Sequence, residues 1–454
     1  MDEALEARIR ELAEELWRAE PRAWRHPVVA LGRRQLGSLD RRPALRSALF
    51  RFVDAAPACT GAIDRGRHLR AFLREIDGER VPASLRPLRA AIAPRPLLGA
   101  YGLASSPATA LLARQFIAGR DVEHATRTLR AMWRRGQAFA LDLLGESTVS
   151  EGEAEAYFQR CANTLRVVAD ATRTWPRQPL LDADRHGPLP RASLSIKLTA
   201  LTPLLRPLSP ERGARDAAGR LAPLLRLARD VGAHVHLDME DYDSRETLLL
   251  AFEEVLADEE FRDGPSVGVV VQAYLRDADE TLDRILSSRS VTRRRVPPTV
   301  RLVKGAYWDH ENVIAAQRGW EAPVWTQKRD SDACFERLSR TLIDARARIR
   351  PAIATHNLRS LAHAIAYLES AGGGAEELEL QVLRGLGDEL ADAIAGMGYR
   401  VRTYAPIGDL VAGMAYLVRR LLENSSNEGF LLRQRHQSLD ELLEAPRPDR
   451  KSVV

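Results

Sequence analysis

Eight short apolar runs alternate with helical stretches from about residue 137 onwards, and this alternation limits the choice of fold more than any other feature. The runs are AFALDLL (138–144), SLSIKL (193–198), HVHLDM (234–239), VGVVVQA (267–273), TVRLVKG (299–305), AIATHN (352–357), LELQVL (378–383) and VRTYAP (401–406). Nearly continuous valine, isoleucine and leucine is typical of parallel strands that are buried on both faces. Eight such strands with intervening helices predict an α/β fold, a (β/α)8 barrel of TIM type.

An open doubly wound sheet is the competing architecture. No strand is followed by GxGxxG or GxxxxGK[ST], so the evidence for a nucleotide-binding fold is missing.

Before the barrel, Leu5, Ile9, Leu12 and Leu16 recur at helical spacing, and similar patterns occupy 42–57, 66–76, 107–119 and 121–135. We therefore predict a helical arm over residues 1–130, the barrel over 131–435 and a tail over 436–454. The arm is either a docking surface for a partner or, as we favour, packs against the barrel.

Capping-box spacing marks three predicted helix starts: Ser150 with Glu153, Asp243 with Glu246, and Asp277 with Glu280.

Composition excludes several classes of protein. No apolar run is long enough to span a bilayer, and the charged N-terminus does not resemble a signal peptide. The three cysteines lie far apart and form no CxxC pair, which favours a reducing compartment. A net charge of +5 without a dense basic block disfavours nucleic-acid binding. We expect a cytoplasmic protein, with peripheral contact to the inner membrane as an alternative.

Polar side chains concentrate where the predicted strands end, which is where a barrel of this kind builds its active site. They are Glu146, Lys197, Asp238, Glu240, Gln272, Arg301, Lys304, Thr355, His356, Asn357, Arg384 and Tyr404. Charged side chains are almost never fully buried unless they are paired. So many of them at the strand ends therefore predict a ligand-binding site at the mouth of the barrel. An ordinary charge facing solvent is the alternative for any one of them. Only four of the 67 basic residues are lysines, a hint that a compact ammonium is needed where a lysine occurs.

The last predicted helix carries AYLVRRLLEN, with Arg419 and Arg420 adjacent and Glu423 one turn further on. A double arginine can clamp a carboxylate through forked hydrogen bonds, whereas the alternative is an exposed helix face with a surface ion pair. No metal-ligand spacing and no serine or cysteine nucleophile motif is evident. These features favour chemistry that rests on an organic cofactor.

Eight segments together resemble the proline dehydrogenase domain of the bifunctional proline utilisation flavoproteins. They are SIKLTAL, HLDMEDYD, VVVQAY, RLVKGAYWDHE, ATHNLRSLA, LQVLRGLG, RTYAPIGDL and AYLVRRLLENSSNEGF. They occur in the family's order and cover about residues 100–435. The resemblance does not extend to the aldehyde dehydrogenase half of those proteins or to a ribbon-helix-helix segment, and it leaves the role of Lys328 open.

The resemblance implies oxidation of L-proline to 1-pyrroline-5-carboxylate by non-covalent FAD. Residues implied to hold the proline carboxylate are Arg419, Arg420 and Lys197. The pyrrolidine ring would lie against Tyr404, Leu383 and Ala306. Glu146 would pair with Arg419, and Asp238 matches an acidic active-site position that orders either Lys197 or Arg301. The cations would disfavour the ammonium form of proline, so that no dedicated base is required.

The resemblance also implies a flavin site. Arg301 would lie beside flavin N5 and Gln272 at the pyrimidine edge of the ring. The remaining implied contacts are Lys304, Gly305 and Ala306 along the dinucleotide, Thr355 and His356 near the pyrophosphate, and Trp308 and Glu423 near the adenosine. A quinone would accept the electrons, and a separate pyrroline-5-carboxylate dehydrogenase is an implied partner.

Two other functions compete with this one. A Schiff-base aldolase is one, because Lys197 and Lys304 lie at barrel strand ends where such lysines act. A non-catalytic scaffold that binds another subunit through the helical arm is the other, although a scaffold has no reason to keep buried charges.

Overall fold

Eight parallel strands form a closed barrel in the computed structural model, which describes residues 3–19, 51–52, 55, 59–74, 116–145, 147–408 and 439–446. The strands are β1 (Gln137–Leu143), β2 (Ala192–Ile196), β3 (Ala233–Leu237), β4 (Ser266–Gln272), β5 (Thr299–Val303), β6 (Arg350–Ala354), β7 (Glu379–Leu383) and β8 (Arg400–Ile407). Their order around the barrel follows the chain, and β8 closes it by pairing with β1. The predicted fold class is confirmed.

Burial explains the composition of the strands. Every residue of β1 and β4 is buried, so both faces of these strands exclude water. Branched apolar side chains suit that environment, because they pack against the barrel interior on one face and against helices on the other.

Several strands end earlier than we predicted. The runs that we extended to residues 198, 239, 305 and 357 leave the sheet at Ile196, Leu237, Val303 and Ala354. At the first of these ends, the Lys197 amide donates to the hydroxyl of Tyr157 at 3.2 Å, and a short helix begins at Leu198. The polar residues that follow the strands therefore lie on βα loops at the mouth of the barrel.

Helices alternate with the strands. Those described, apart from single turns, are α1 (Glu3–Ala19), α2 (Ala62–Arg74), α3 (Val122–Arg134), α4 (Glu151–Thr172), α5 (Pro210–Val231), α6 (Tyr242–Ala257), α7 (Ala278–Ser287), α8 (Trp308–Arg318), α9 (Lys328–Asp344), α10 (Leu358–Ser370) and α11 (Asp388–Gly396). The predicted helices at 66–76 and 121–135 correspond to α2 and α3. Those at 42–57 and 107–119 fall mostly outside the described residues. No described helix is both long and apolar enough to cross a membrane.

One of the three predicted capping boxes is observed, and the other two are not. Ser150 and Glu153 form the box that begins α4, as predicted. The box at Asp243 was wrong: Asp241 caps α6 by accepting the Ser244 amide at 2.8 Å, which places Asp243 inside the first turn. Asp277 does precede α7, but its side chain makes no capping hydrogen bond.

The first helix of the arm packs on the barrel, as we favoured from the sequence. The apolar face of α1 contacts α10 and α11. Charged residues reinforce this contact: Arg8 donates to Glu369 at 2.7 Å, and the buried Arg359 binds both Glu6 of α1 at 2.9 Å and Glu336 of α9 at 2.8 Å. Arg359 thereby joins the start of the chain to two barrel helices.

We expect Arg359→Met to lower the free energy of unfolding by about 3–5 kcal/mol, because the buried carboxylate of Glu336 would lose its counter-charge. Equilibrium unfolding in urea measures this loss. Arg226→Met is the matched control, since Arg226 pairs with Glu260 at the surface, where ion pairs contribute little. Equal stabilities of the two variants would contradict the role given to Arg359.

Candidate active site

A carboxylate, a guanidinium and a phenol meet inside the barrel near its carboxyl end. Asp238 follows β3, Arg301 lies in β5 and Tyr404 lies in β8. The guanidinium of Arg301 donates to Asp238 Oδ1 at 2.7 Å, and the Tyr404 hydroxyl donates to Asp238 Oδ2 at 2.6 Å. The barrel thus brings together three predicted site residues that are up to 166 positions apart in sequence.

The Arg301 guanidinium is fixed on several sides. It also donates to Ser195 of β2 at 3.2 Å, and it lies 5.6 Å from the ring centre of Tyr404. Only 5% of its side chain is exposed. A cation so deeply buried is tolerated because a carboxylate and further hydrogen bonds compensate its lost hydration. Of the two pairings that we considered for Asp238, the one with Arg301 is observed.

Lys197 takes a different partner, Asp142 of β1, which the sequence analysis missed. Lys197 Nζ and Asp142 Oδ1 are 2.7 Å apart, and the Asp142 side chain is 1% exposed. Burial by itself would lower the pKa of Lys197, but the carboxylates of Asp142 and Asp238 outweigh it and raise that pKa above its ordinary value. Lys197 is therefore held as an ammonium. A single aspartate within the apolar run AFALDLL was the signal available in the sequence.

Gln272, the last residue of β4, has one end of its amide free. Its Nε2 donates to the backbone oxygen of Glu240 at 3.0 Å, whereas its Oε1 is buried without a hydrogen-bond partner among the described residues. Burying a polar atom unpaired costs free energy, so this amide is suited to a ligand that supplies a donor.

Gly305, in the loop after β5, packs closely against the ring of Tyr274. This residue has φ +131°, a conformation that L side chains rarely adopt, and an added Cβ would overlap the ring of Tyr274. Lys304, just before it, forms an ion pair with Asp332 of α9, although 22% of the lysine side chain remains exposed. Asp332 was not singled out in the sequence analysis either.

The other predicted site residues have varied surroundings. His356 Nε2 accepts the amide of Leu383 at 2.9 Å, which joins the ends of β6 and β7, and Thr355 Oγ1 accepts the Asn357 amide at 3.1 Å. Leu383 is the register partner of Tyr404. Ala306 follows Gly305, and Trp308 begins α8. Four predicted residues lie outside the described part of the chain: Glu146, Arg419, Arg420 and Glu423.

One group of metal-ligand types, which the spacing argument missed, lies in the arm. Ligand atoms of Cys59, Asp64 and His68 lie within 4.8 Å of one another. Asp64 already accepts the amide of Thr60 at 3.2 Å beside the start of α2, and nearly half of the His68 side chain is exposed. Cys59 and Asp64 are half-buried, and the Asp64 carboxylate is already engaged in a local turn.

Two family models match the chain. One, described as proline dehydrogenase, matches residues 125–433, and the other, described as the proline utilization A N-terminal domain, matches residues 6–116. The second match covers most of the predicted helical arm.

Individual relatives agree with these models. The bifunctional protein PutA of Salmonella typhimurium is 31% identical over 345 residues, which are 74% of this chain and 25% of that protein. Proline dehydrogenase 1 of Bacillus subtilis is 28% identical over 72% of this chain and 91% of its own length. The solved structure of PutA from Bdellovibrio bacteriovorus, inactivated by N-propargylglycine, has a TM-score of 0.87 at 33% identity and covers 97% of this chain and 44% of that one. The chain thus spans about a quarter to a half of the length of its PutA relatives.

We expect Asp142→Asn to lower the pKa of Lys197, because the nearest opposite charge is lost while the burial that lowers this pKa remains. Nuclear magnetic resonance of ¹³C-dimethylated lysines can follow this titration, since the chain has only four lysines, and Lys197→Arg assigns the signal. Asp279→Asn, which removes a carboxylate that is paired with Arg337 on the surface, is the control. An unchanged Lys197 titration in Asp142→Asn would refute the assigned ion pair.

Proposed function

The chain belongs to the proline dehydrogenase family, and we propose that it oxidises L-proline to 1-pyrroline-5-carboxylate, with FAD as the hydride acceptor. The family assignment made from the sequence motifs is confirmed by the match over residues 125–433. The observation that carries the proposal is the cluster of Asp238, Arg301 and Tyr404 at the carboxyl end of a closed barrel. Barrel enzymes place their chemistry at this end, where the βα loops converge.

Lys197 would bind the proline carboxylate. Its ammonium is kept charged by Asp142, and a paired cation at a fixed position costs little to orient when an anion arrives. Tyr404 and Leu383, which are register partners, would line the space for the apolar ring together with Ala306. Arg419 and Arg420, with Glu146 as the partner of Arg419, remain proposed carboxylate ligands outside the described residues.

Asp238 would position other groups instead of acting as a base. Both of its oxygens already accept hydrogen bonds, one from Arg301 and one from Tyr404. The reaction does not require a base at that point if proline binds as the neutral amine. The ring carbon next to nitrogen gives up a hydride, the nitrogen lone pair forms the C=N bond, and the N–H proton passes to solvent.

The described residues fit a flavin dinucleotide. The free amide end of Gln272 suits the donor and acceptor edge of a flavin ring. FAD, when bound, would supply a two-electron acceptor that no side chain provides. The proposed contacts are Gln272, Arg301, Lys304, Gly305, Ala306, Trp308, Thr355, His356 and, outside the described residues, Glu423. A quinone remains the proposed final electron acceptor, and a separate pyrroline-5-carboxylate dehydrogenase a proposed partner.

The Schiff-base aldolase is less well supported. A lysine that forms a Schiff base must first lose its proton, which a desolvated lysine with a lowered pKa does readily. Lys197 has the opposite environment, since Asp142 and Asp238 raise its pKa. Burial does lower the pKa of Lys304, but Asp332 holds its ammonium in an ion pair.

We expect Lys197→Met to raise the KM for proline about ten- to hundredfold, because a charge-assisted hydrogen bond contributes about 1.5–3 kcal/mol. Steady-state reduction of a dye by proline measures this change. Arg318→Met, which removes an exposed cation paired with Asp243, is the control and should leave KM unchanged. A wild-type chain that reduces no dye with proline would refute the proposed function.

N-Propargylglycine offers a second test, because it inactivated the PutA of Bdellovibrio bacteriovorus in the solved structure. Like proline, it is a secondary amine with a carboxylate. We expect it to inactivate this chain progressively, and L-proline to slow the loss by competing for the site. Full activity after prolonged incubation would contradict a shared amine site.

A further inference from the structure

A small cavity lies at the amino end of the barrel, opposite the mouth that holds the candidate active site. The first residues of five consecutive strands and one residue of β2 line it, namely Ser266, Thr299, Arg350, Glu379, Arg400 and Ser193. A hairpin at residues 183–188 lies beside it, and its free space admits only a few water-sized groups. Apart from Arg301, none of the residues that line the cavity has a role in the proposed reaction.

Two carboxylates of this cavity are already paired with arginines. Both oxygens of Asp184 accept from Arg350, at 2.6 and 3.2 Å. Both oxygens of Glu379 accept from Arg402, at 2.7 and 2.8 Å. Neither carboxylate accepts a hydrogen bond from Arg400 in the described part of the chain.

The two other carboxylates that line the cavity come from the loop before β7. Glu377 is shared by Arg185 and Arg346. Glu376 is exposed, and its carboxylate lies beside Gly374 of its own loop. These acidic side chains are therefore also directed to other groups than Arg400.

Arg400 and Ser193 carry polar atoms that no described residue satisfies. Nη2 of Arg400 donates to the backbone oxygen of Glu376, but its Nε is buried without a hydrogen-bond partner among the described residues. Ser193 Oγ is buried and unpaired in the same way. The two residues are only 4% and 2% exposed. Because leaving a buried donor unpaired costs free energy, both atoms are suited to a ligand in the cavity.

The unpaired guanidinium nitrogen determines the charge of that ligand. A guanidinium can only donate hydrogen bonds, so its partner must be an acceptor. Burial lowers the pKa of Arg400, and the nearby charges of Glu379 and Asp184 offset this effect only in part. An anion would give Arg400 both an acceptor and a directly bonded counter-charge, and it would leave the existing ion pairs intact.

We propose that the cavity at the amino end of the barrel binds a small inorganic oxyanion through Arg400 and Ser193. The planar guanidinium matches the oxygens of such an ion, and the limited space excludes larger ligands. The bound anion would stabilise the amino end, which in barrels of this kind contributes to stability and not to catalysis. This site differs from the one at the mouth, where Lys197 is proposed to bind the carboxylate of proline.

Thermal unfolding of the full-length chain tests this proposal, with nitrate as the probe. Sodium nitrate replaces sodium gluconate at constant ionic strength, because gluconate is too large for the cavity. We expect the Tm of the wild-type chain to rise with nitrate, since a ligand that binds only the folded state stabilises it. Arg400→Met should weaken the fitted affinity for nitrate about ten- to hundredfold, which corresponds to the loss of one charge-assisted hydrogen bond. The measurement requires neither flavin nor proline.

Ser193→Ala is the second variant, which decides the question if Arg400→Met does not fold. It removes a hydroxyl that has no partner, so without nitrate we expect it to be at least as stable as the wild type. Its affinity for nitrate should be about two- to tenfold weaker, because one neutral hydrogen bond to the anion is lost.

Two control variants should keep the wild-type response to nitrate. Arg262→Met removes an exposed cation that pairs with Glu259, and Lys197→Met removes the proposed carboxylate ligand at the mouth. A Tm of the wild type that nitrate does not raise would overturn the inference, since the cavity would then hold only water. An equal rise in the wild type and in Ser193→Ala would also overturn it, and so would a response that Lys197→Met abolishes.

Discussion

A charge placed inside a closed barrel must find its partner there, and this constraint organises the site. Asp238 serves as the partner of two strands at once, because it accepts hydrogen bonds from Arg301 of β5 and from Tyr404 of β8. Asp142 pairs with Lys197 through one of its oxygens. Arg301, Tyr404 and Lys197 are thus each held by a carboxylate from another strand or loop, so their positions depend on correct closure of the barrel. Stability and ligand geometry rest on the same ion pairs.

The sequence predicted the barrel well because eight apolar runs carry a strong local signal. Strand ends and pairings were harder, since they depend on contacts between distant segments. Nothing near Lys197 indicates Asp142, 55 residues away, and nothing near Lys304 indicates that Asp332 would serve two lysines. The helix start predicted at Asp243 was wrong because Asp241, two residues earlier, offers an equivalent capping carboxylate. The roles of Lys197, Arg301 and Gln272 came from resemblance to a family, and they remain predictions.

The two groups of ion pairs at the mouth differ in one respect. Lys197 with Asp142, and Arg301 with Asp238, each pair one cation with one carboxylate. Lys304 and Lys328 share the carboxylate of Asp332, and Glu336, which pairs with Arg359, also lies near Lys304. The buried Arg359 shows the complementary case in the helical layer, where two carboxylates share one cation and join α1 to the barrel.

The most direct test of the account is the absorption spectrum of the purified chain before and after L-proline is added without oxygen. We predict flavin bands at about 370 and 450 nm, with the band at longer wavelength bleached by proline, since a bound flavin that takes hydride from proline must change its absorption. Bands that persist with proline would contradict the assigned substrate. A chain that stays colourless after FAD is supplied would contradict the flavin site and leave only the barrel.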